Sequence, residues 1–212
     1  MNALKRGIRQ AVQHAGYELY RQPADSYGDV PRRLTYAEAQ CCKALANRGQ
    51  LSINEGRLLG DLVRSTDTTR PIIEIGTLFG FSTIVISLFK QRQQPLITVD
   101  NYCWNPLGIS PDVHYEITKN RLAEVVANHN ARLLRMDKND FYRTYDGPPP
   151  ALFFCDADHS YEATKRDITW AQSVGASIIC GDDYDLASEP GVKRAVDELG
   201  GPRQLADGLF VL

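Results

Sequence analysis

The sequence predicts an α/β protein built on a doubly wound, mostly parallel, seven-stranded sheet. From residue 51 onward, five short apolar runs alternate with segments of helical periodicity, as expected when helices cross over between parallel strands. The chain then closes with two further short runs, residues 202–206 and 208–212. These runs predict two short closing strands at the C-terminal end.

Composition favours one domain with a small appendage. With 212 residues, 43% of them hydrophobic, the chain can bury a sizeable core. The 24 basic and 26 acidic residues nearly balance, which disfavours nucleic acid or an anionic membrane as a partner. We find no apolar run near the ~20 residues of a transmembrane helix and no signal-peptide core. The five cysteines lack framework spacing, so we expect a reducing, cytoplasmic location.

Residues 1–50 are predicted to form a helical appendage to a domain that spans residues 51–212. Leu4, Ile8 and Val12 recur at helical spacing, and a second helix is expected to begin near Thr35. We expect these helices to pack on the domain or to form a homodimer interface.

The first strand of the domain leads into a glycine turn. Ile72-Ile73-Glu74-Ile75 predicts a strand buried on both faces, Gly76 and Gly80 bracket the turn, and an apolar helix follows to Phe89. A strand that passes through such a turn into a helix N-terminus commonly cradles a nucleotide-like ligand. Leu78 stands where a dinucleotide fingerprint has its second glycine, so NAD and FAD are disfavoured. A phosphate-binding Gly-Lys-Ser/Thr sequence is also missing.

The second strand ends in an acid. Residues 95–100 form a short apolar run closed by Asp100, which lies 20 residues beyond Gly80, an offset at which an acid commonly binds a ribose. A plain strand-ending aspartate is the alternative. The aromatic loop that follows, residues 102–111, either lines or closes a substrate pocket, or is simply packed down by Trp104. A helix bearing Ile117, Leu122, Val125 and Val126 is predicted next, and then a strand over residues 132–137.

Two clusters of acids follow the next two strands. The apolar run 151–155 is followed by Asp156-Ala157-Asp158-His159, and the run 177–180 is followed by Gly181-Asp182-Asp183. A helix between the runs predicts a parallel crossover, which brings both clusters to one edge of the sheet. Carboxylates that converge there repel one another unless they are protonated or bind a cation, and oxygen ligands suit a hard ion such as Mg²⁺. Cys155 and Cys180 lie within the apolar runs, so we expect core residues and no zinc.

Together these motifs resemble class I S-adenosylmethionine (SAM)-dependent methyltransferases. The Glu-x-Gly-x-x-x-Gly turn is similar to their first motif, and the pair Glu55-Gly56 at a helix start resembles the catechol and caffeoyl-CoA type O-methyltransferases. The acid clusters are similar to those of the same enzymes and of macrocin-type antibiotic O-methyltransferases. The resemblance covers residues 51–212 and implies a Rossmann-like fold whose last two strands form an antiparallel pair.

The resemblance also implies a set of site residues. Those expected to bind SAM are Glu74, Gly76, Thr77, Gly80, Ser82, Asp100, Asn101, Asp137 and Asp156. Asp156, Asp182 and Asp183 stand where those families place ligands to Mg²⁺, with Mn²⁺ or Ca²⁺ as substitutes. His159 stands where they place the base that accepts the substrate proton; a residue that merely starts a helix is the alternative, and His114 is the next candidate base.

We therefore expect methyl transfer from SAM to a hydroxyl of a small molecule, assisted by a divalent metal. A vicinal diol or catechol would suit the metal best, because two oxygens can chelate it. Two alternatives stay open. One is a metal-independent methyltransferase on the same fold, and the other is a non-catalytic module that binds a nucleotide or metabolite.

Overall fold

A computed structural model describes residues 51–106, 108–186 and 190–212. The predicted appendage, residues 1–50, and its proposed role in dimerisation lie outside these ranges. The described strands are β1 Ile72–Ile75, β2 Leu96–Asp100, β3 Ala131–Arg135, β4 Leu152–Cys155, β5 Ile178–Gly181, β6 Gln204–Ala206 and β7 Leu209–Val211. The described helices are α1 Ile53–Arg64, α2 Phe81–Phe89, α3 Pro111–Arg121, α4 Ala123–Asn128, α5 Lys138–Thr144, α6 Tyr161–Ser173 and α7 Pro190–Glu198.

The strands form one seven-stranded sheet in the order β3-β2-β1-β4-β5-β7-β6. Strands β1 to β5 pair in parallel, whereas β7 is antiparallel to both β5 and β6. The predicted doubly wound sheet with a closing antiparallel pair is therefore confirmed. Strand order reverses between β1 and β4, and open α/β sheets bind ligands at such a point, beyond the carboxyl ends of the strands.

The core lies on both faces of the sheet, because neighbouring residues of each strand point to opposite sides. Ile72 of β1, level with Leu96 and Leu152, belongs to the layer that includes residues of α1 and α2. Ile73, level with Phe153, belongs to the layer that includes residues of α6 and α7. Cys155 and Cys180 are buried in these layers, as predicted.

The helix predicted to carry Ile117, Leu122, Val125 and Val126 is divided in two. Leu122 leaves helical geometry with φ −93° and ψ 4°, so α3 ends before it and α4 begins after it. Ile117 and Val126 are exposed, whereas α3 buries His114 and Thr118. None of the described helices combines the length and the apolarity that crossing a membrane requires.

Candidate active site

A cleft of about 560 Å³ opens at the carboxyl ends of β1, β2 and β4. Five predicted cofactor residues line it, namely Gly76, Asp100, Asn101, Asp137 and Asp156, and so does the candidate base His159. The volume falls within the roughly 300–1,000 Å³ that is usual for small-molecule sites. The cleft lies at the switch point of the sheet, where the topology leads one to expect a ligand.

The glycine turn is fixed by packing between strands. Gly76 has φ +97°, and a Cβ there would overlap the backbone carbonyl oxygen of Asp156 at the end of β4. Gly80 has φ +82°, and a Cβ there would lie 2.7 Å from the Leu122 side chain. Both positions therefore require glycine even before a ligand is considered. Gly76 in particular lets the glycine turn lie against Asp156, the first residue of the first acid cluster.

Asp100 joins the ends of β1 and β2. Its Oδ2 accepts hydrogen bonds from the backbone amides of Thr77 (2.9 Å) and Leu78 (2.8 Å), and its Oδ1 accepts one from the amide of Tyr102 (2.6 Å). Because a carboxylate offers about four acceptor sites, these three bonds leave one for a ligand. Asp100 is thus both a brace for the turn and a wall of the cleft.

Glu74 lies behind the turn and is fully buried. Its two oxygens accept hydrogen bonds from the hydroxyls of Ser82 and Thr83 in the first turn of α2, each at 2.5 Å. Burial raises the pKa of Glu74 to about 7, although the hydroxyl donors oppose the rise. Of the nine predicted cofactor residues, Glu74 and Gly80 do not line the cleft, whereas Thr77 and Ser82 line a separate cavity of about 20 Å³ together with Gly76 and Asp156.

The remaining cofactor candidates lie on the loops that follow β2 and β3. Asn101 is exposed, and its Oδ1 accepts a hydrogen bond from the amide of Cys103 at 2.9 Å. Asp137 caps α5 by accepting a hydrogen bond from the amide of Asn139 at 2.8 Å. Trp104 of the aromatic loop also lines the cleft and is 65% exposed. Its ring therefore faces the cleft and solvent and does not pack the loop down.

The two acid clusters meet beside this cleft. Nε2 of His159 lies 3.3 Å from Oδ1 of Asp156 and 3.3 Å from Oδ2 of Asp183. In the described part of the chain, these three residues are the set of His, Cys, Asp and Glu side chains whose ligand atoms lie within 4.8 Å of one another. The predicted crossover therefore does bring residues of both clusters together. Asp182 is not in this set.

Asp182 lies next to the set but is turned inward, with 5% of its surface exposed. Its Oδ1 has no hydrogen-bond partner among residues 51–106, 108–186 and 190–212. Burial, together with the nearby carboxylates of Asp156 and Glu55, raises the pKa of Asp182 to about 9. A buried carboxylate in such surroundings is stable only when it holds a proton or a cation.

Glu55 is part of this arrangement through the C-terminal hairpin. It completes the capping box of α1 with Ser52, as its spacing predicts, and its Oε1 accepts a hydrogen bond from the amide of Gly208 at 2.7 Å. A Cβ at Gly208 would lie 3.0 Å from Oδ1 of Asp182 and 3.1 Å from Oε1 of Glu55. The hairpin turn between β6 and β7 therefore needs a glycine to pass between the two acids.

The position of His159 is set by two helices. Ser160, not His159, caps α6, because its Oγ accepts the hydrogen bond from the amide of Ala163. A Cβ at Gly191 in α7 would lie 2.5 Å from the carbonyl oxygen of His159, so α7 packs directly against its backbone. The other candidate base, His114, is fully buried and contacts backbone carbonyls instead of lining the cleft.

Three further cleft residues carry no sequence signal that marks them. Lys138, Asn139 and Arg166 also line the cleft. Lys138 forms a buried ion pair with Asp167 at 2.7 Å, and Arg166 donates a hydrogen bond to Asn139 at 3.0 Å. Nothing in their spacing separates them from ordinary surface residues of α5 and α6. The buried Asp167 is what holds Lys138 in place.

Comparison with known protein families gives a match over much of the domain. The model of a family described as "Methyltransferase domain" matches residues 73–184. No curated protein matches the chain.

Several of the solved structures similar to this chain are O-methyltransferases. TomG from Streptomyces achromogenes, involved in tomaymycin synthesis and in complex with SAM, is 18% identical with a TM-score of 0.60, over 100% of this chain and 96% of that one. A Bacillus cereus O-methyltransferase in complex with SAH is also 18% identical with a TM-score of 0.59, over 97% and 94%. Apo CalS11, a TDP-rhamnose 3'-O-methyltransferase of calicheamicin biosynthesis, is 16% identical with a TM-score of 0.55, over 89% and 98%. At these identities the likeness establishes the fold.

Proposed function

The chain belongs to the methyltransferase-domain family, whose model covers more than half of its length. From this premise we propose that it transfers a methyl group from SAM to a hydroxyl of a small molecule with the help of a divalent cation. One observation carries the proposal: Asp156 lines the cleft and, at the same time, contacts His159 in the acid cluster. A nucleoside site and a cation site thus share a wall.

The cleft has the chemistry that SAM requires. Asp100 offers its remaining acceptor site to a ribose hydroxyl, and Asn101 and Trp104 add a polar and an aromatic wall. We expect the amino acid end to lie beside Thr77 and Ser82 at the N-terminus of α2. SAM, when bound, supplies an electrophilic methyl group on its sulfonium. The protein's part is to place an oxygen beside it, since proximity alone can lower a barrier by several kcal/mol.

The acid cluster fits a hard divalent cation. The orphaned, buried Oδ1 of Asp182 is a ligand atom with no competing partner in the described chain, and Asp156 and Asp183 approach from the same edge. We expect Asp156, Asp182 and Asp183 to hold Mg²⁺ or Mn²⁺. A cation bound there would lower the pKa of a substrate hydroxyl. It would also relieve the repulsion among the three carboxylates.

His159 is the proposed general base. Its Nε2 faces the two carboxylates, so an oxygen held at this cluster would lie within reach of the nitrogen. Histidine is the side chain that most often accepts a proton in general base catalysis. The same geometry gives a second role in which Nε2 ligates the cation. Nitrogen hyperfine coupling to bound Mn²⁺ separates the two, because only a ligand gives direct coupling.

The acceptor we propose is a small molecule with two adjacent oxygens. The structural neighbours support this class, since TomG and CalS11 are O-methyltransferases of tomaymycin and calicheamicin synthesis. A vicinal diol or catechol can chelate a cation through both oxygens, which orients one of them for transfer. A metal-independent methyltransferase and a non-catalytic binding module are the competing functions.

Calorimetry followed by a turnover assay tests the proposal. SAM should bind the intact protein with micromolar or tighter affinity, NAD should not, and Mn²⁺ should bind at one site. Turnover of a catechol should require the cation and cease with EDTA. As a matched pair, Asp182→Asn should abolish Mn²⁺ binding, whereas Asp112→Asn, on the exposed face of α3, should leave it unchanged.

Each competing function predicts a different outcome. SAM binding with turnover that survives EDTA would show a metal-independent methyltransferase. SAM binding without turnover of any of a panel of catechols, diols and sugars would favour a binding module. Preferential binding of NAD would remove the cofactor assignment altogether.

A further inference from the structure

Two residues beside the cleft have backbone conformations that their side chains disfavour. Leu78 follows β1 with φ 45°, and Tyr102 follows β2 with φ 61°. Residues other than glycine seldom occupy this left-handed region, and they persist there only where the surroundings hold them. The amides of both residues donate to the same carboxylate, that of Asp100. Asp100 thus holds the peptide unit that precedes each of the two residues.

The carbonyls of the same two residues meet the same histidine. Nε2 of His114 lies 3.0 Å from the carbonyl oxygen of Leu78, and Nδ1 lies 3.3 Å from that of Tyr102. A carbonyl oxygen can only accept, and a neutral imidazole carries one N–H, so the ring donates to one of these carbonyls at a time; the shorter distance favours Leu78. Thr118, one turn further along α3, donates its hydroxyl to the same Leu78 oxygen at 2.6 Å.

The ring of His114 is held firmly enough to impose this geometry. It is fully buried and packs against Phe79 at 4.5 Å and edge-on against Tyr102 at 5.1 Å between ring centroids. A buried donor without an acceptor is costly, so the N–H of the ring and the Leu78 carbonyl hold each other in place, while the ring packs against Tyr102. Helix α3 is in this way connected to both loops that flank the cleft.

We propose that His114 is a positioning residue for the cofactor. By donating to the carbonyl of Leu78 and packing against the ring of Tyr102, it keeps both residues left-handed and their amides directed at Asp100. Asp100 is then oriented with its remaining acceptor site toward the cleft. This inference rests on the proposed function for the identity of the ligand, and it makes His114 a determinant of SAM affinity and not of proton transfer.

Three variants and one control separate this role from ordinary stability. His114→Leu fills the space without a donor, and His114→Gln keeps an amide nitrogen the same number of bonds from Cα as Nε2. Thr118→Val removes the second donor to Leu78 with little change of shape. The control is Ser110→Ala, which weakens the cap of α3 without touching either carbonyl.

The first measurement needs no ligand: hydrogen exchange of the Leu78 and Tyr102 amides, resolved by NMR on the intact protein. His114→Leu should accelerate both amides at least 10-fold, His114→Gln should restore slow exchange, and Thr118→Val should accelerate Leu78 alone. Ser110→Ala should leave the exchange rates of both amides unchanged, apart from any change in the global stability of the protein. Acceleration of neither amide by His114→Leu would overturn the proposal.

The second measurement is SAM affinity by calorimetry, together with steady-state kinetics. His114→Leu should weaken SAM binding by roughly 10- to 100-fold, as expected when a buried hydrogen bond is lost, and kcat at saturating SAM should stay within about 3-fold. Faster exchange with unchanged SAM affinity would overturn the positioning role. A wild-type protein that does not bind SAM would refute the proposed function. The exchange data would still show whether His114 holds the two loops in place.

Discussion

Two carboxylates at the same edge of the sheet have opposite surroundings. Asp100, at the end of β2, accepts three backbone hydrogen bonds and faces the cleft with one acceptor site to spare. Asp182, just beyond β5, is buried beside Asp156 and Glu55, and its Oδ1 lacks a partner in the described chain. The first carboxylate is stabilised by the fold, whereas the second is destabilised by it.

This difference indicates what each site is built to receive. A carboxylate that is already paired can add a bond to a neutral hydroxyl at little cost, so the Asp100 turn is preorganised for a ribose. Carboxylates that repel one another gain most from a cation, because its binding removes a penalty that the empty site carries. The carboxylate arrangement around Asp182 thus lowers the stability of the fold, whereas the hydrogen bonds of Asp100 do not. Gly76 and Asp156, whose backbones touch, are where the two sites meet.

The largest effect is expected for chemistry at the acid cluster. His159→Ala should lower turnover by roughly 10²- to 10⁴-fold, because a general base is lost, and SAM and Mn²⁺ affinities should hardly change. The defect should shrink as pH rises, since solvent can then remove the proton. Steady-state rates and calorimetry on the same preparation measure both quantities.

A histidine away from the cluster provides the control for this change. His129→Ala alters the residue that ends α4 and should leave turnover near that of the wild type. Should His159→Ala retain activity, or lose it only together with the fold, His159 would be a structural residue at the start of α6. Loss of Mn²⁺ binding in His159→Ala would instead make it a ligand.

The next largest effect is expected where the two sites meet. Gly76→Ala places a Cβ against the Asp156 carbonyl at φ +97°, so strain and overpacking should together cost about 2–5 kcal/mol of unfolding free energy. Gly200→Ala is the matched control, since Gly200 has φ +111° but open space around its Cα; it should cost about 1 kcal/mol. Urea denaturation measures both. Equal costs for the two variants would show that close contact with Asp156 has no role.

A smaller effect is expected at Asp100. Asp100→Ala should weaken SAM binding by roughly 5- to 100-fold, because a ligand bond is lost and three amides lose their acceptor. Mn²⁺ affinity should be unaffected, since Asp100 is not among the clustered ligands. Unchanged SAM affinity in calorimetry would reduce Asp100 to a brace of the turn.

The sequence predicted the sheet better than it predicted the surroundings of the site. Apolar runs mark strands regardless of what they face, so the parallel pairing of β4 with β5 and the meeting of Asp156 with Asp183 followed from the crossover rule. The motif could not show that Glu74 turns away from the cleft. That orientation depends on the hydroxyls of Ser82 and Thr83, which lie beyond the glycine turn in the first turn of α2.

The helix after the aromatic loop shows a second limit. Ile117 and Val126 suggested a buried apolar face, yet both are exposed, and α3 instead buries His114 and Thr118. His114 and Thr118 face the interior here because both hydrogen-bond to the backbone carbonyl of Leu78, in the loop that follows β1. Hydrophobic periodicity cannot reveal such a requirement, since it arises from loops distant in sequence.

The smallest expected effect, taken per pH unit, is a pH dependence of stability that distinguishes two buried acids. In the folded protein the pKa of Asp182 is raised from 3.8 to about 9, and that of Glu74 from 4.5 to about 7, with burial the main cause of both. Between the ordinary and the raised pKa the folded state holds a proton that the unfolded state has released. Stability in EDTA should therefore fall as pH rises, by at most about 1.4 kcal/mol per pH unit for each acid.

The pH window separates the two acids. From pH 7 to 9 only Asp182 is still releasing its proton in the folded state, so Asp182→Asn should flatten the decline there, whereas Glu74→Gln should flatten it only below pH 7. Urea unfolding at each pH, with and without Mn²⁺, measures both windows. Because a cation displaces the same proton, Mn²⁺ should stabilise the wild type more as pH rises and Asp182→Asn hardly at all. Parallel curves for wild type and Asp182→Asn from pH 7 to 9 would mean that Asp182 is already ionised and paired, and the contrast with Asp100 would disappear.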